Sequence, residues 1–318
     1  MTTAFITGIA GQDGTYLAER LAGEGCVVHG LVLDDGEAKA ALSHAPGAVV
    51  HRGDLGDPDS IAALVKEIGP DEVYNLGGIS SVAFSWEQPV LTGRVTGLGA
   101  VGVFEAARRA QDASGRPIRV VQASSSEVFG VPDKAPQDES TPIRPVSPYG
   151  AAKAYAHLAA AAYRARGLFV ATCVFYNHES PRRPTTFVTR KITAAAARIA
   201  RDGGTLTLGD LTARRDWGWA PDYVDSLVRA ARHGEPDDFV VATGETHSVA
   251  DFAAAAFARA GVADWRSHVL TDPELYRPAD STQLVGRADK ARRVLGWAPT
   301  CSFDDLVARL VDADLAAL

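Results

Sequence analysis

A tyrosine and a lysine four residues apart are the first candidates for chemistry. Tyr149 and Lys153 lie in the run SPYGAAKAY, and on a helix this spacing places both side chains on one face. At roughly 4 Å and an effective dielectric near 20, an ammonium stabilises a phenolate by about 4 kcal/mol, which lowers a tyrosine pKa from about 10 to roughly 7. Tyr149 is therefore a candidate general base, although the same spacing also occurs in solvated helix pairs.

A hydroxyl and a carboxyl follow a strand predicted at residues 119–123. The run ASSSE contains Ser125 and Glu127, and strand alternation sends both side chains to the same side, toward the ligand crevice of a parallel sheet. Ser125 is suited to hydrogen-bond a sugar hydroxyl, and Glu127 to move a proton from carbon to a leaving hydroxyl. The alternative is a serine-rich turn with a capping glutamate.

A glycine-rich turn follows the first predicted strand. Residues 8–14 read GIAGQDG, a pattern in which backbone passes close to a pyrophosphate and then opens a helix whose N-terminus faces the anion. Glycine suits this approach because a Cβ would block it. Such turns also serve only to reverse the chain. Asp54 and Leu55, after the third strand, are suited to contact an adenine, although an aspartate there is equally a helix cap.

Short apolar runs alternate with amphipathic stretches through the first half of the chain. Strands are predicted at residues 4–7, 27–33, 49–51, 72–76, 119–123, 169–176 and 238–242, with helices beginning at Gly14 and Asp57. This order predicts a Rossmann-type, doubly wound parallel α/β sheet that gathers ligands at the carboxyl ends of its strands.

The alternation of strands and helices is interrupted after Asn177. There a Pro- and Arg-rich segment precedes an amphipathic helix predicted at residues 187–201. Ser248 with Asp251, and Ser302 with Asp305, are typical of helix N-caps. We therefore expect a smaller, interleaved C-terminal substrate-binding domain at about residues 179–211 and 246–318. Residues 1–178 and about 212–245 would form the dinucleotide-binding domain.

Composition excludes several classes of function. The 318 residues are 46% hydrophobic and carry a net charge of −7, which argues against a general nucleic-acid or membrane surface. Cys26, Cys173 and Cys301 have no spacing typical of zinc sites or disulfide frameworks, so we expect no metal site and a reducing, cytoplasmic location. The sequence has no uninterrupted run of about 18 apolar residues, so it does not indicate a membrane span.

Nine short strings make the chain resemble a known family. GIAGQDG, SSSEVFG, SPYGAAK, NHESPRR, FVTRKIT, RRDWG, ATGETHSV, RPA and LGW occur in this order. Together they resemble the GDP-mannose 4,6-dehydratase family of the extended short-chain dehydrogenase/reductase superfamily, over essentially the full length.

The resemblance implies an internal redox reaction on a nucleotide sugar. Tyr149 would be the base at the sugar C4 hydroxyl, Lys153 would hold the nicotinamide ribose, and Ser125 and Glu127 would complete the catalytic set. Hydride would pass from C4 to the cofactor and back to C6, with loss of water and no net redox change. The implied cofactor contacts are Gly8, Gly11, Gln12, Asp13, Gly14, Asp54, Leu55, Leu76, Tyr149 and Lys153.

The resemblance also implies which residues line the nucleotide-sugar site. Arginine is suited to such a site because its guanidinium can bind a pyrophosphate through two parallel hydrogen bonds. The residues are Ser81, Ser126, Asn177, Arg182, Arg190, Lys191, Arg215 and Arg277. Arg215 and Arg277 are the two best supported, and a surface or helix-end charge is the alternative for each arginine. We interpret Trp217 as a packing residue rather than a stacking one.

The cofactor-binding segment departs from the family pattern. A pair of arginines normally follows the second strand and recognises the 2′-phosphate of NADP, whereas this chain reads VLDDG at residues 32–36. An acid near the adenosine ribose favours two free hydroxyls. The family implies NADP, and Asp34 makes NAD an alternative.

The same segment is shorter than in the family, where it helps join dimers into tetramers. We therefore expect a homodimer rather than a tetramer. It would form through the helix after Pro89 and the helix carrying Tyr149, whose alanine-rich residues 151–162 permit close approach.

Three substitutions affect the substrate expectation: Ser81 replaces a usual histidine, Ser125 a threonine and Asp280 a glutamate. They leave open another nucleotide-linked hexose or a heptose. A nucleotide-sugar reductase or epimerase is the alternative enzyme. A catalytically silent nucleotide sensor is the alternative of another class, and the intact set of Ser125, Glu127, Tyr149 and Lys153 counts against it.

Overall fold

A computed structural model describes residues 1–275 and 284–318. In this part of the chain the strands are β1 Thr3–Thr7, β2 Val27–Val32, β3 Val49–Arg52, β4 Glu72–Asn75, β5 Arg119–Ser125, β6 Phe169–Phe175, β7 Asn177–Glu179, β8 Leu206–Leu208, β9 Arg214–Arg215, β10 Trp217–Trp219, β11 Asp238–Val241, β12 His247–Ser248 and β13 Val269–Thr271.

The helices are α1 Gln12–Gly23, α2 Asp35–His44, α3 Pro58–Ile68, α4 Val82–Glu87, α5 Pro89–Thr92, α6 Gly99–Ser114, α7 Pro148–Arg164, α8 Val188–Asp202, α9 Ala220–Arg232, α10 Val249–Arg259, α11 Asp289–Leu295 and α12 Phe303–Ala316. A π-helical turn, Gly93–Leu98, joins α5 to α6, and a 3₁₀ turn, Ser126–Val128, follows β5.

The central sheet has seven parallel strands in the order β11-β6-β5-β4-β1-β2-β3. One face is covered by α1, α2, α9 and α11, and the other by α3, α6 and α7. The inner strands are apolar and β-branched because both of their faces are buried. The predicted doubly wound α/β fold is confirmed, and the predicted strands lie within one or two residues of the observed ones.

Helix α2 was not predicted. It is polar, with only Ala41 buried, so it lacks the apolar periodicity that marks a helix in the sequence. Asp34 begins it by accepting a hydrogen bond from the Glu37 amide, at 2.9 Å, on its side-chain oxygen. The acidic stretch after β2 is therefore the start of a helix and not an open loop.

A separate hydrophobic cluster is built from α8, α10 and α12. The predicted caps at Ser248 and Ser302 are confirmed, and Ser248 forms a complete capping box with Asp251. Trp217 lies in this cluster with its ring centroid 5.1 Å from that of Phe252, which confirms its packing role. The two-domain boundaries themselves stay a prediction.

The helical stretch Pro89–Ser114 is long and apolar enough, by length and composition alone, to cross a membrane. Half of its most apolar window is buried inside the protein, and α6 packs against α3 in the cluster that covers one face of the sheet. Its apolar character is accounted for in part by this packing.

Candidate active site

The glycine turn between β1 and α1 is shaped by two close backbone approaches. A Cβ on Gly8, whose φ is +71°, would lie 2.9 Å from the Cα of Gly77, and a Cβ on Gly14 would lie 2.2 Å from the Gly8 carbonyl oxygen. Gly11 is the exposed N-cap of α1, and a Cβ there would meet only the Gly8 carbonyl oxygen, at 3.3 Å. A helix N-terminus with a glycine N-cap, at the carboxyl end of β1, fits a dinucleotide pyrophosphate.

The first turn of α1 is joined to β7 by side chains that the sequence did not reveal as partners. The Gln12 amide nitrogen donates to the His178 carbonyl at 3.1 Å, and its oxygen accepts from the Ser180 hydroxyl at 2.8 Å. Asp13 Oδ2 lies 2.8 Å from His178 Nε2. The segment after β6 is thereby fixed against the glycine turn.

The two ring nitrogens of His178 face different partners. Nδ1 lies 2.7 Å from the Tyr176 carbonyl oxygen, and Nε2 lies 2.8 Å from Asp13 Oδ2. Burial acts to raise the pKa of Asp13, but the charge and hydrogen bond of His178 outweigh it and the pKa is lowered. The contact with His178 therefore favours the ionised form of Asp13.

The four predicted catalytic residues lie at the junction of β5 and α7. Ser125 ends β5, Glu127 lies in the following 3₁₀ turn, and Tyr149 and Lys153 occupy the first two turns of α7. Ser147 caps this helix by accepting from the Gly150 amide at 3.0 Å. Tyr149 is buried, and its electrostatic neighbours include Ser125, Glu127, Arg183 and Asp13.

The expected lowering of the Tyr149 pKa is wrong. Burial is the largest effect and raises the pKa of Tyr149 to about 12. The negative charge of Glu127 also raises this pKa, whereas a hydrogen bond from Ser125 and the charge of Arg183 lower it. The Lys153 Nζ lies 6.0 Å from the centre of the Tyr149 ring. Desolvation of the phenolate thus exceeds the stabilisation that the four-residue spacing led us to expect.

Lys153 is held by a polar chain that crosses the sheet. Its Nζ donates to the Ala123 carbonyl at 2.8 Å, and that oxygen also accepts from the Gln122 side chain, at 2.8 Å. Gln122 accepts in turn from Asn75 at 2.6 Å, and Asn75 accepts from Thr7 at 2.7 Å. Burial lowers the pKa of Lys153 to about 8.

The remaining predicted cofactor contacts flank the glycine turn. Asp54 accepts from the Gly56 amide at 2.7 Å, so it closes a turn, and Asp57 rather than Asp54 is the N-cap of α3. Leu55 is buried in the core beneath α3 and α6, and Leu76 immediately follows β4.

The predicted substrate contacts fall in several different settings. Ser81 is the N-cap of α4 and accepts from the Phe84 amide at 3.1 Å, so its hydroxyl proton is not used by that bond. Ser126 is buried beside Ser125, and Asn177 begins β7.

Arg215, in β9, is buried and donates to the Arg214 carbonyl at 2.7 Å. Arg277 and Asp280 lie outside the described residues.

Three of the predicted cations are engaged away from Tyr149. Arg182 Nη2 donates to both carboxylate oxygens of Glu19, at 2.8 and 2.9 Å, and the guanidinium lies over the Tyr16 ring. Arg190 is buried in an ion pair with Asp314 of α12. Lys191 donates to the Thr207 carbonyl at 2.7 Å. These contacts join α8 and the segment before it to the rest of the protein.

Arg183 was not among the predicted site residues. Its guanidinium lies over the Phe187 ring, at 3.8 Å, and 3.5 Å from Glu179, and its charge lowers the pKa of Tyr149 and of Asp13. The string NHESPRR therefore contains two arginines that diverge, and Arg183 is the one whose charge acts on Tyr149. Nothing in the sequence pattern distinguishes the two.

Comparison with known proteins supports a single family. The family model for GDP-mannose 4,6 dehydratase matches residues 5–310. The chain is 44% identical to GDP-mannose 4,6 dehydratase 2 of Arabidopsis thaliana, over 98% of this chain and 86% of that one. It is 39% identical to GDP-mannose 4,6 dehydratase of Homo sapiens, over 98% and 91%.

Among solved structures, a dTDP-glucose 4,6-dehydratase of Streptomyces venezuelae with NAD bound is similar. Its TM-score is 0.84, with 25% identity over 98% of this chain and 96% of that one. The family model and the sequence relatives cover nearly the whole chain. The chain belongs to the GDP-mannose 4,6-dehydratase family.

Proposed function

We propose that this protein removes water from the hexose of GDP-mannose, giving GDP-4-keto-6-deoxymannose. The observation that carries the proposal is the burial of Tyr149 and Lys153 beside Ser125 and Glu127 at the carboxyl end of β5. Family membership supports the same reaction. An enzyme that only reduces or epimerises a sugar needs no carboxyl group for elimination.

Each of the four side chains has a separate role in this proposal. Tyr149 takes the proton of the sugar C4 hydroxyl as C4 becomes a ketone, and Ser125 hydrogen-bonds the same oxygen. The ketone acidifies the C5 proton, which Glu127 removes before it protonates the departing C6 hydroxyl. Water leaves, and C5 takes up a proton that balances the one Tyr149 removed from the C4 hydroxyl. C4 is thereby oxidised and C6 reduced, so atoms and electrons balance within the sugar.

A nicotinamide dinucleotide is the proposed cofactor. When bound, it accepts hydride from C4 and returns it to C6, so it is regenerated at each turnover. Gly8, Gly11 and Gly14 would admit the pyrophosphate, and Lys153 would hold the nicotinamide ribose. Gln12, Asp13, Asp54, Leu55, Leu76 and Tyr149 complete the proposed contacts. The family resemblance favours NADP, whereas the acidic stretch after β2 favours NAD.

Arg215 and Arg277 are the proposed contacts for the substrate pyrophosphate. Asn177, Ser81, Ser126 and Lys191 remain proposed lining residues, and Arg183 joins them because its charge reaches Tyr149. Arg182 and Arg190 are less suited, since Glu19 and Asp314 already occupy their guanidinium groups. The serine at position 81 keeps another nucleotide-linked hexose or a heptose as the alternative substrate.

We propose a homodimer formed through α5, the π-helical turn and α7. A groove of about 660 Å³ runs between these elements, lined by Val90, Gly97, Leu98, Ala151 and Tyr155 among others. Val90 is 83% exposed and Leu98 58%. A groove of small and apolar residues on two adjacent helices suits the same face of a second copy.

The proposed location is the cytoplasm, supported by Cys26, Cys173 and Cys301 all being free thiols. We also propose that the cluster of α8, α10 and α12 is the core of the substrate-binding domain, because it is separate from the clusters that cover the sheet.

A mass-spectrometric assay tests the reaction. The purified protein is incubated with GDP-mannose carrying deuterium at C4 and with each cofactor in turn. We expect loss of one water, retention of the label at C6 and no accumulation of reduced cofactor. An unchanged mass with an altered sugar would indicate an epimerase. In a parallel assay with the 4-keto product and reduced cofactor, stoichiometric oxidation of the cofactor would indicate a reductase.

Glu127→Gln tests the elimination step. We expect dehydration to slow by about 10² to 10⁴, the usual contribution of a positioned acid or base. Glu67→Gln, an exposed position on α3, is the matched control and should keep the wild-type rate. Normal dehydration by Glu127→Gln would contradict the proposed role.

A further inference from the structure

An ion pair joins the carboxyl end of β3 to the start of the helix that follows β2. Arg52, the last residue of β3, pairs with Asp35, the first residue of α2. Both side chains are exposed, at 61% and 88%. The pair raises the pKa of Arg52 and lowers that of Asp35, as expected for two groups that hold each other's charge.

Two further carboxylates lie on the same turn. Asp34 accepts from the Glu37 amide at 2.9 Å, and Glu37 accepts from the Leu33 amide at 2.8 Å. These bonds order the turn, so the carboxylates are held near the end of β2. One guanidinium therefore stands among three carboxylates, and it is already paired with one of them.

This end of β2 opens beside the glycine turn. β1 and β2 are neighbours in the sheet, Thr7 pairs with Leu31, and Gly8 follows Thr7 directly. In doubly wound sheets the dinucleotide lies across the carboxyl ends of these strands, with its adenosine ribose at the end of the second. A 2′-phosphate there would meet the carboxylates, whereas a ribose with two hydroxyls can donate to them.

We infer that the Asp35–Arg52 pair makes this enzyme select NAD over NADP, because Asp35 pairs with the guanidinium at the end of β3 and adds negative charge beside the place of a 2′-phosphate. The inference rests on the proposed function only in assuming a nicotinamide dinucleotide at the glycine turn. Asp35 and Arg52 are the specificity-determining residues, and loss of Asp35 releases Arg52 to bind the phosphate bidentately.

A competition experiment without sugar tests this. The purified protein is equilibrated with equal concentrations of NAD⁺ and NADP⁺, passed through a desalting column and denatured, and the released nucleotides are quantified by mass spectrometry. We expect a bound NAD:NADP ratio above about ten for the wild type, and a ratio about tenfold lower for Asp35→Asn. Asp59→Asn, an exposed first-turn position of α3, should keep the wild-type ratio.

The double variant separates release of Arg52 from simple loss of negative charge. In Asp35→Asn with Arg52→Ala, the gain in NADP should disappear and the ratio should return toward the wild-type value. Retention of the gain would overturn the role of Arg52, and a wild-type protein that takes up mainly NADP would overturn the inference as a whole. Selective NAD binding without dehydration would contradict the proposed function alone.

Discussion

At the scale of single residues, burial decides the protonation of the active site. The pKa of Tyr149 is raised to about 12 and that of Lys153 lowered to about 8, because each buried group disfavours its charged form. Arg183 partly opposes this at Tyr149. Tyr149 therefore holds its proton at neutral pH in this environment, and the role as a base that we propose for it would depend on positive charge beside the phenol.

Buried Lys153 predicts a specific pH dependence of stability. Its pKa falls from an unfolded value near 10.5 to about 8, so above about pH 8 the unfolded chain binds more protons and stability rises with pH. The gain between about pH 7.5 and 9.5 should be about 2 kcal/mol in the free energy of unfolding. Tyr149, whose pKa is raised, acts with the opposite sign only above about pH 10.

Lys153→Met isolates this contribution. Urea unfolding of both proteins at the two pH values should show the wild type gaining about 2 kcal/mol relative to the variant as pH rises. Lys66→Met, an exposed position on α3, is the control and should show no such change. A wild-type to Lys153→Met difference that is independent of pH would contradict the lowered pKa.

Residue spacing and strand order made Ser125, Glu127, Tyr149 and Lys153 candidates, and the family resemblance joined them as one set. The structure places them at β5 and the start of α7. The partner of Asp13 could not be predicted. His178 is 165 positions away along the chain, and only folding brings its two ring nitrogens to the Tyr176 carbonyl and the Asp13 carboxylate.

At the scale of elements, the sequence predicts best where burial leaves a clear apolar pattern. The inner parallel strands are continuous apolar runs and α8 is amphipathic, whereas the polar α2 and the short β7 and β9 show neither pattern. The ion-pair partners of the arginines cannot be predicted from the sequence either. Glu19 and Asp314 approach Arg182 and Arg190 only after folding. The expectation for Arg190 therefore needs a test of its own.

The Arg190 ion pair is expected to join α8 to α12 rather than to bind substrate. The two side chains are 9% and 11% exposed, and the second bond of the pair, Arg190 Nη2 to Asp314 Oδ1, is 2.7 Å long. Asp314→Asn should lower the free energy of unfolding by about 2 to 3 kcal/mol, since it leaves a buried guanidinium without its counter-charge. The KM for the nucleotide sugar should change little.

Asp312→Asn provides the comparison on the same helix. Asp312 forms an exposed pair with Arg259, at 2.7 Å, and such pairs contribute little to stability. Urea unfolding and steady-state kinetics on both variants separate the two roles. A large rise in KM for Asp314→Asn without loss of stability would indicate that Arg190 serves the substrate after all.

At the scale of the whole molecule, the exposed apolar residues concentrate on the face that we propose for the dimer. Val90, Leu98, Tyr155 and Leu158 are all at least 48% exposed. Residues 151, 155 and 158 follow one face of α7 at helical spacing. The same helix carries Tyr149 and Lys153 at its N-terminal end, so pairing of two copies would also brace the helix that holds the catalytic pair.

Charges on this face should separate the proposed dimer. Val90→Asp combined with Leu98→Asp would bury two carboxylates without partners in the interface, which costs several kcal/mol each. Sedimentation velocity at micromolar concentration should change from dimer to monomer, with the thermal transition still cooperative. Leu270→Asp, a 53% exposed position on β13, should leave the dimer intact. A wild-type protein that sediments only as monomer would contradict the proposed dimer. A double variant that stays dimeric would show that the interface lies on another face.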